Sequence, residues 1–514
     1  MNKQGEHNMD YLKRIVFSCL IAIMSFYCMM TEDYQHHYAM LATVVVGFAM
    51  GWILYERVSK YLLPYYRNHI GLALFGFLWA CGTAVHLMFH NIARAQEKSV
   101  VPVQVFRWYG YGLAALGIWI CLLIAIRYVK ELIEDVWSKL SQTMRREYVV
   151  VSALISIVMV VCYCLRPGWY TFFDRIYSVD SSSLIMNLYG NPEFLEVAHP
   201  LYGIVSYPIS TLVLGIDMLI VPKAFDSIFF AIGIQLICIQ TVLWTGLFLH
   251  LLTKHPYIFR VYCCSNAVLF YCLALEKYQI ATFLVVLYLY LRTEKLTGSD
   301  TALALAGGTM FTSYYAGIVE LLAKEPFKEK MKNVGRIILW TLGVTIASGH
   351  FRLLDSEIFN MFTLKNGFAL DVPIMGRLQA VLWMIHSGFI PLESTENGGF
   401  VIWRDVNSGW SIIGIMILAI AVFGFVCVRR SKVHQAAMAW CVLSILLFVP
   451  LNWCATETPL FHIYFHWAYL LLFMAGMDRL VKWLRFNPKV FYNAASMLML
   501  VVCMMDYLRI LQVM

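Results

Sequence analysis

The chain has 514 residues, of which 61% are hydrophobic and 14% charged, and its mean hydropathy is +0.69. Those values exclude a soluble globular domain. The net charge of +8 is scattered over short connections, so it excludes the long basic run of a nucleic-acid-binding tail.

Apolar runs near or above 18 residues recur from end to end, roughly thirteen to fifteen of them, each long enough to cross a bilayer core. The expected class is therefore an all-α polytopic membrane protein. The first run, Ile15 to Met30, lacks a small-residue cleavage site and reads as a retained helix. Spans near 12–30, 38–55, 70–89 and 106–127 form an N-terminal four-span module, residues 1–128. In the linker 129–148, Leu132, Val136, Leu140 and Met144 recur every four residues on a charged background, which predicts an amphipathic helix on the inner face. The fourteen cysteines lie mostly within spans and show no CxxC spacing, so they read as small apolar packing residues.

The stretch 149–349 opens with a span at 149–165 and continues with runs near 201–221, 228–252, 257–275, 279–291, 301–322 and 334–349. TKHPYIFR, RTEK and AKEPFKEKMKNVGR are rich in Lys and Arg and belong inside. The turn from Glu276 to Gln279 then lies outside. Parity fails if every run crosses, so the proline-bearing HPLYGIVSYPI is expected to re-enter or lie along the membrane. The run 301–322 has both ends inside and is expected to re-enter around Gly307 and Gly308. An outer loop, 350–408, carries VPIMGRLQAVLWMIHSGF. Arg377 and His386 interrupt that segment, which therefore reads as an interfacial helix. Spans near 409–428, 434–451, 463–477 and 489–508 complete the C-terminal part, residues 409–514.

Chemistry-bearing residues collect in the outer elements. The loop opening after Arg166 holds Asp174, Arg175 and Asp180 and returns through His199. The turn holds Glu276 and Lys277, the later loop holds Arg352 and His386, and TETPLFHIYFH holds Glu457, His462 and His466. Any single one of these reads equally well as a solvated loop residue. Glu276 and Lys277 depart furthest from that reading. They sit directly between two apolar runs, where an ionised group costs about 2.5–3.5 kcal/mol. Acids and bases beside a lipid suit transfer of a sugar from a lipid-linked phosphate. A carboxylate would take the acceptor's proton, and Lys277, Arg352 or a histidine would stabilise the leaving phosphate. Trp169, Tyr170 and Tyr189 would line the sugar site. His462 and His466 have the i, i+4 spacing of metal ligands on a helix, although an interfacial histidine pair has the same spacing. A divalent cation is thus left open. VDSSSLIMNLY should begin a surface helix with Asp180 or a serine as its N-cap.

In order and spacing the chain resembles the GT-C superfamily, the polytopic glycosyltransferases that use polyprenyl-phosphate sugars. The matching pieces are VDSSSLIMNLYG after one span, the return AHPLYGIVSYPI and the second outer acid in VLFYCLALEKYQIATFLVVLYLYL. The short ALAGGTMFTSYYAGI and the connection TETPLFH follow. The likeness covers roughly 149–480. It implies a GT-C-like bundle with interfacial helices on its outer loops. Asp180 would be the catalytic acid, with Asp174 as its competitor, and Glu276 the second acid. His199 and Lys277 would face the lipid phosphate, with Arg175, Arg352, His462 and His466 also on the substrates. Four extra spans precede the matching part, and the family's D-E or D-D pair is D-S in this chain. The implied protein is a hexosyl- or pentosyltransferase on the outer face of a bacterial cytoplasmic membrane. Its donor would be a polyprenyl-phosphate sugar and its acceptor a glycan, lipid or protein, without nucleic acid. Two rivals stand beside it. An O-antigen-type polymerase would favour an Arg-rich loop pair. A lipid-linked glycan flippase would distribute charge along an intramembrane pathway or show two pseudo-symmetric halves.

Overall fold

The computed structural model describes residues 3–28, 37–98, 108–166, 168–169, 181, 184–185, 201–220, 228–322, 326–349, 372–391, 411–452 and 461–512. Helix accounts for 90% of the structure, with no strand among the described residues. In chain order the helices are α1 (Lys3–Cys28), α2 (His37–Arg57), α3 (Leu63–Arg67), α4 (Ile70–Lys98), α5 (Trp108–Lys139), α6 (Gln142–Leu165), α7 (Tyr202–Ile220), α8 (Ile228–Thr253), α9 (Ile258–Cys263) and α10 (Asn266–Leu273). There follow α11 (Lys277–Thr293), α12 (Ser299–Thr309), α13 (Ile318–Leu322), α14 (Phe327–Ala347), α15 (Ile374–Phe389), α16 (Ile412–Val428), α17 (Lys432–Phe448), α18 (His462–Trp483) and α19 (Pro488–Gln512).

Eight of these helical stretches are long and apolar enough to cross a membrane: 9–28, 37–67, 70–93, 108–139, 142–165, 202–220, 228–253 and 488–508. Their outward faces are as greasy as their packed faces. Leu74 and Leu78 on α4, Leu154 and Ile157 on α6, and Met497 and Leu498 on α19 are all exposed on the protein. A helix apolar all round belongs in a core or in lipid, and these lie on the outside. The protein is a multi-pass helical membrane protein. The eight spans among the described residues are fewer than the thirteen to fifteen expected, and local breaks account for part of the difference. The run 257–275 is two short helices, α9 and α10, parted at Ser265, which has the extended backbone of a helix start. The run at 201–221, by contrast, is one helix. Pro208 sits inside α7 without ending it, and the Pro208 carbonyl accepts the Trp79 indole N–H at 2.5 Å.

The chain forms two compact units: residues 1–141, 183–230 and 338–359 in the first, and 142–182, 231–337 and 360–514 in the second. In the first, α1 packs on α2 and α5, and α4 packs on α5 and α7. Small residues permit the closest crossing. A Cβ on Gly47 would lie 2.6 Å from the Ser25 hydroxyl, and one on Gly51 would lie 2.8 Å from the Ser18 Cα, the small-residue contact that holds membrane helices together. The expected linker helix at 129–148 is not a separate element. α5 runs through 128 to Lys139, carried by i, i+4 ion pairs Arg127–Glu131 and Lys139–Asp135 at 2.7 and 2.9 Å. Its stripe is real nonetheless: Val136, Leu140 and Met144 are buried.

In the second unit α16 crosses α18 at reciprocal glycines. A Cβ on Gly424 would sit 2.0 Å from the Leu472 carbonyl oxygen, and one on Gly476 would sit 2.3 Å from that of Ile420. The helix expected to lie at the interface, α15, is instead packed against α16, α17 and α18. Every residue from Ala380 to Phe389 except Trp383 and His386 is buried. Arg377 is absorbed locally, donating to the Val372 and Val449 carbonyls at 2.6 and 2.9 Å.

Residues 299–322 enter the unit and return. α12 stops at Met310, whose φ/ψ of −146°/109° is extended, and a 3-10 stretch, Phe311–Gly317, leads into α13. Both ends are tied by charge near the last turn of α11. Glu320, fully buried, pairs with Arg292 at 2.5 Å and accepts from the Tyr288 hydroxyl at 3.1 Å. Asp300 pairs with Arg336 at 2.7 Å and lies within electrostatic range of Tyr288. The 11 residues of α12 rise about 16 Å, half of a hydrocarbon core of about 30 Å. The segment is a hairpin whose outgoing helix is too short to cross such a core.

Candidate active site

The site is built around the break between α10 and α11. A helix ends with orphan carbonyls, and inside a membrane protein they must find partners within the fold. At the end of α10 the Phe270 carbonyl takes the Ala274 N–H at 2.8 Å, and the carbonyls after it are met by side chains from elsewhere in the fold. The Trp169 indole N–H donates to the Leu273 carbonyl at 3.2 Å. The Gln235 amide on α8 donates to Cys272 and Ala274 at 3.0 and 3.3 Å. The Gln279 amide on α11 donates to Tyr271 and Ala274 at 2.5 and 2.6 Å. Ser181 closes the set. Its hydroxyl donates to the Leu275 carbonyl at 3.0 Å and accepts the Leu275 N–H at 2.9 Å.

Between these bonds Ala274 and Glu276 are extended, and Glu276 stands at the N-cap of α11 with Lys277 next to it. Both are inside the protein, at 7% and 6% exposure. The helix dipole favours the carboxylate at that end and opposes the ammonium.

The start of α18 packs on the same turn. The Phe461 ring meets Tyr278 edge-on at 4.9 Å, and the His462 ring meets Phe270 and Tyr271 at 5.4 and 5.2 Å. One helical turn further on, His466 stacks on Tyr262 at 6.0 Å and meets the edge of Phe389 at 4.8 Å. Gly388 leaves room for that ring, since a Cβ there would lie 2.7 Å from its Nδ1. The end of α15 joins through its Ser387 carbonyl, which accepts from the Asn266 amide at 2.7 Å. Nearby, His386 Nδ1 is bonded to the Ser411 hydroxyl at 2.7 Å. Burial pushes the His386 imidazole down to about 4, so it is neutral at pH 7.

Of the site residues expected from sequence, the structure places Glu276, Lys277 and His462 around one turn, with His466 deeper among aromatic rings. Asp174, Arg175, Asp180, His199 and Arg352 lie outside the described residues. Their loop is nonetheless represented at the turn by Trp169 and Ser181. Trp169, expected to line a sugar site, is buried and spent on the turn's backbone. The helix expected on the surface after Asp180 is not exposed where it is described: Ser181, Leu184 and Ile185 are helical and buried. Sequence reasoning missed Gln235 and Gln279, whose signal was an amide standing inside an otherwise apolar run. No group of three or more His, Cys, Asp or Glu suited to a metal occurs among the described residues. The thirteen described cysteines are free thiols.

No family model, curated protein or solved structure matches the chain.

Proposed function

We propose that the protein is a membrane glycosyltransferase of the GT-C type, moving a sugar from a polyprenyl-phosphate donor to a hydroxyl acceptor at the Glu276–Lys277 turn. One observation carries the reading. Ser181, the residue after Asp180, is hydrogen-bonded in both directions to Leu275, the residue before Glu276. The loop that bears Asp180 in sequence is thereby fastened, at Ser181, to the buried turn that holds Glu276 and Lys277. In the reaction a carboxylate, Asp180 first and Asp174 as its competitor, removes the acceptor's proton. The acceptor oxygen then bonds to the anomeric carbon as the bond from that carbon to the phosphate oxygen breaks. Polyprenyl phosphate leaves with its charge facing Lys277. Glu276 is the second acid of the reaction. The GT-C assignment, the bacterial cytoplasmic membrane and the choice among glycan, lipid and protein acceptors belong to this proposal.

The test is transfer from labelled polyprenyl-phosphate sugars by the purified chain in lipid nanodiscs. Asp180→Asn and Glu276→Gln should each lower turnover about a hundredfold or more, the usual worth of acid–base help being 10²–10⁴. Asn caps a helix nearly as well as Asp, so a folded Asp180→Asn chain at near-normal rate would move the base to Asp174. Near-normal rates for Asp180→Asn, Asp174→Asn and Glu276→Gln alike would remove the chemistry from this turn, and no transfer by the unaltered chain from any of the donors would end the transferase reading.

A further inference from the structure

The tip of the 299–322 hairpin is bonded to the helix that packs on the turn just described. The Thr312 and Ser313 hydroxyls lie 2.9 and 2.8 Å from the Tyr464 hydroxyl. Tyr464 is three residues along α18 from Phe461, a rise of about 4.5 Å, and the Phe461 ring touches Tyr278, next to Lys277. The hairpin tip is therefore bonded to the first turns of α18, the helix whose start also packs on the Glu276–Lys277 turn, and forms a floor there.

Three features of that floor point to a ligand class. First, the seven-residue 3-10 stretch is longer than the three or four residues such helices usually reach, and irregular backbone at membrane depth survives only against protein or a water-filled cavity. Second, Phe311–Gly317 carries no charged residue, unlike the turn above it. Third, the surface on offer is hydroxyl and aromatic. Thr312, Tyr314 and Tyr315 are half-buried, and Tyr314 folds back so closely that a Cβ on Gly307 would meet its ring at 2.0 Å. Each hydroxyl is both donor and acceptor, so the chain through Thr312, Tyr464 and Ser313 can reverse direction and present either to a ligand. Rings beside reversible hydroxyls, with no charge, match a neutral polyhydroxy group. A phosphate or cation would call for the opposite.

We infer that the tip of the 299–322 hairpin is the surface that recognises the sugar of the lipid-linked donor, with Thr312 as its specificity-determining contact. This rests on the transferase reading and adds where the sugar sits. The competing role is simple glue, hydroxyls joining the hairpin to α18 and facing lipid.

The experiment labels Thr312→Cys in right-side-out and inverted membrane vesicles with a charged, membrane-impermeant methanethiosulfonate, read against the unaltered chain. Thr297→Cys, exposed at the hairpin's entry, serves as the inner-side control. The probes are undecaprenyl phosphate alone and undecaprenyl phosphate bearing a hexose, an N-acetylhexosamine or a pentose. Expected is labelling of Thr312→Cys from the outer side only, slowed about tenfold once a sugar-bearing lipid saturates the site and unaffected by the bare lipid phosphate. Labelling only from inside, labelling only by a lipid-soluble maleimide, equal protection by the bare phosphate, or protection by none of the sugars each overturns the inference. Transfer that depends on Glu276 without protection at Thr312 would remove the floor and keep the transferase. Protection by a sugar-bearing lipid without any transfer would do the reverse.

Discussion

Replacing Ser181 by Ala tests whether the loop is truly fastened to the turn. The change removes one oxygen from a site where Ser181 is fully buried and Leu275 is 3% exposed. That oxygen makes two bonds, of 3.0 and 2.9 Å, to the carbonyl and N–H of Leu275. A buried backbone group stripped of its partner costs about 1–3 kcal/mol, so losing both should destabilise the chain by about 2–4 kcal/mol after partial relaxation. Unfolding in mixed micelles at rising SDS fraction would measure the total. Hydrogen exchange at the Leu275 amide would report the local part, with exchange about a hundredfold faster, because 1.4 kcal/mol is a factor of ten. If the loop positions Asp180, kcat should fall while KM stays nearly constant, since the acid is retained but no longer held. A loss below about 0.5 kcal/mol, with exchange at Leu275 unchanged, would refute the tether and the argument built on it.

Two more outcomes follow from buried charge. Glu320→Ala should cost about 3–5 kcal/mol by leaving Arg292 without its buried partner, and Glu320→Leu with Arg292→Leu should recover most of it; equal losses in the single and double variants would sink that account. His386 lies outside the candidate spans and is held at about 4 against an ordinary 6.5. Its folded value is the lower, so its contribution is complete above pH 6.5. Below that the unfolded chain takes up the proton first, and stability should fall by about 1.4 kcal/mol per pH unit down to pH 4. His386→Gln should flatten that slope in a pH series of unfolding measurements.

Membrane residence was readable from the sequence because it depends on composition summed over windows, which needs no knowledge of neighbours. The same holds for the hairpin at 299–322. Lys and Arg flank both its ends, and a charge that will not cross lipid is a local property. The turn at Glu276 and Lys277 was visible for the same reason, as two ionised groups with no loop to hold them. Partnership was not visible. That Ser181 would answer Leu275, 94 residues away, that Gln235 would cap α10, or that Tyr464 would hold the hairpin tip depends on which helices pack side by side, and apolar runs that all look alike carry no code for that. Nor could contiguous segments show that residues 183–230 join the N-terminal bundle while 142–182 do not. Helix pairing in lipid is decided by close-range fit, such as Gly424 against the Leu472 carbonyl and Gly476 against that of Ile420, because the surrounding lipid is as apolar as the helices and offers no preference of its own.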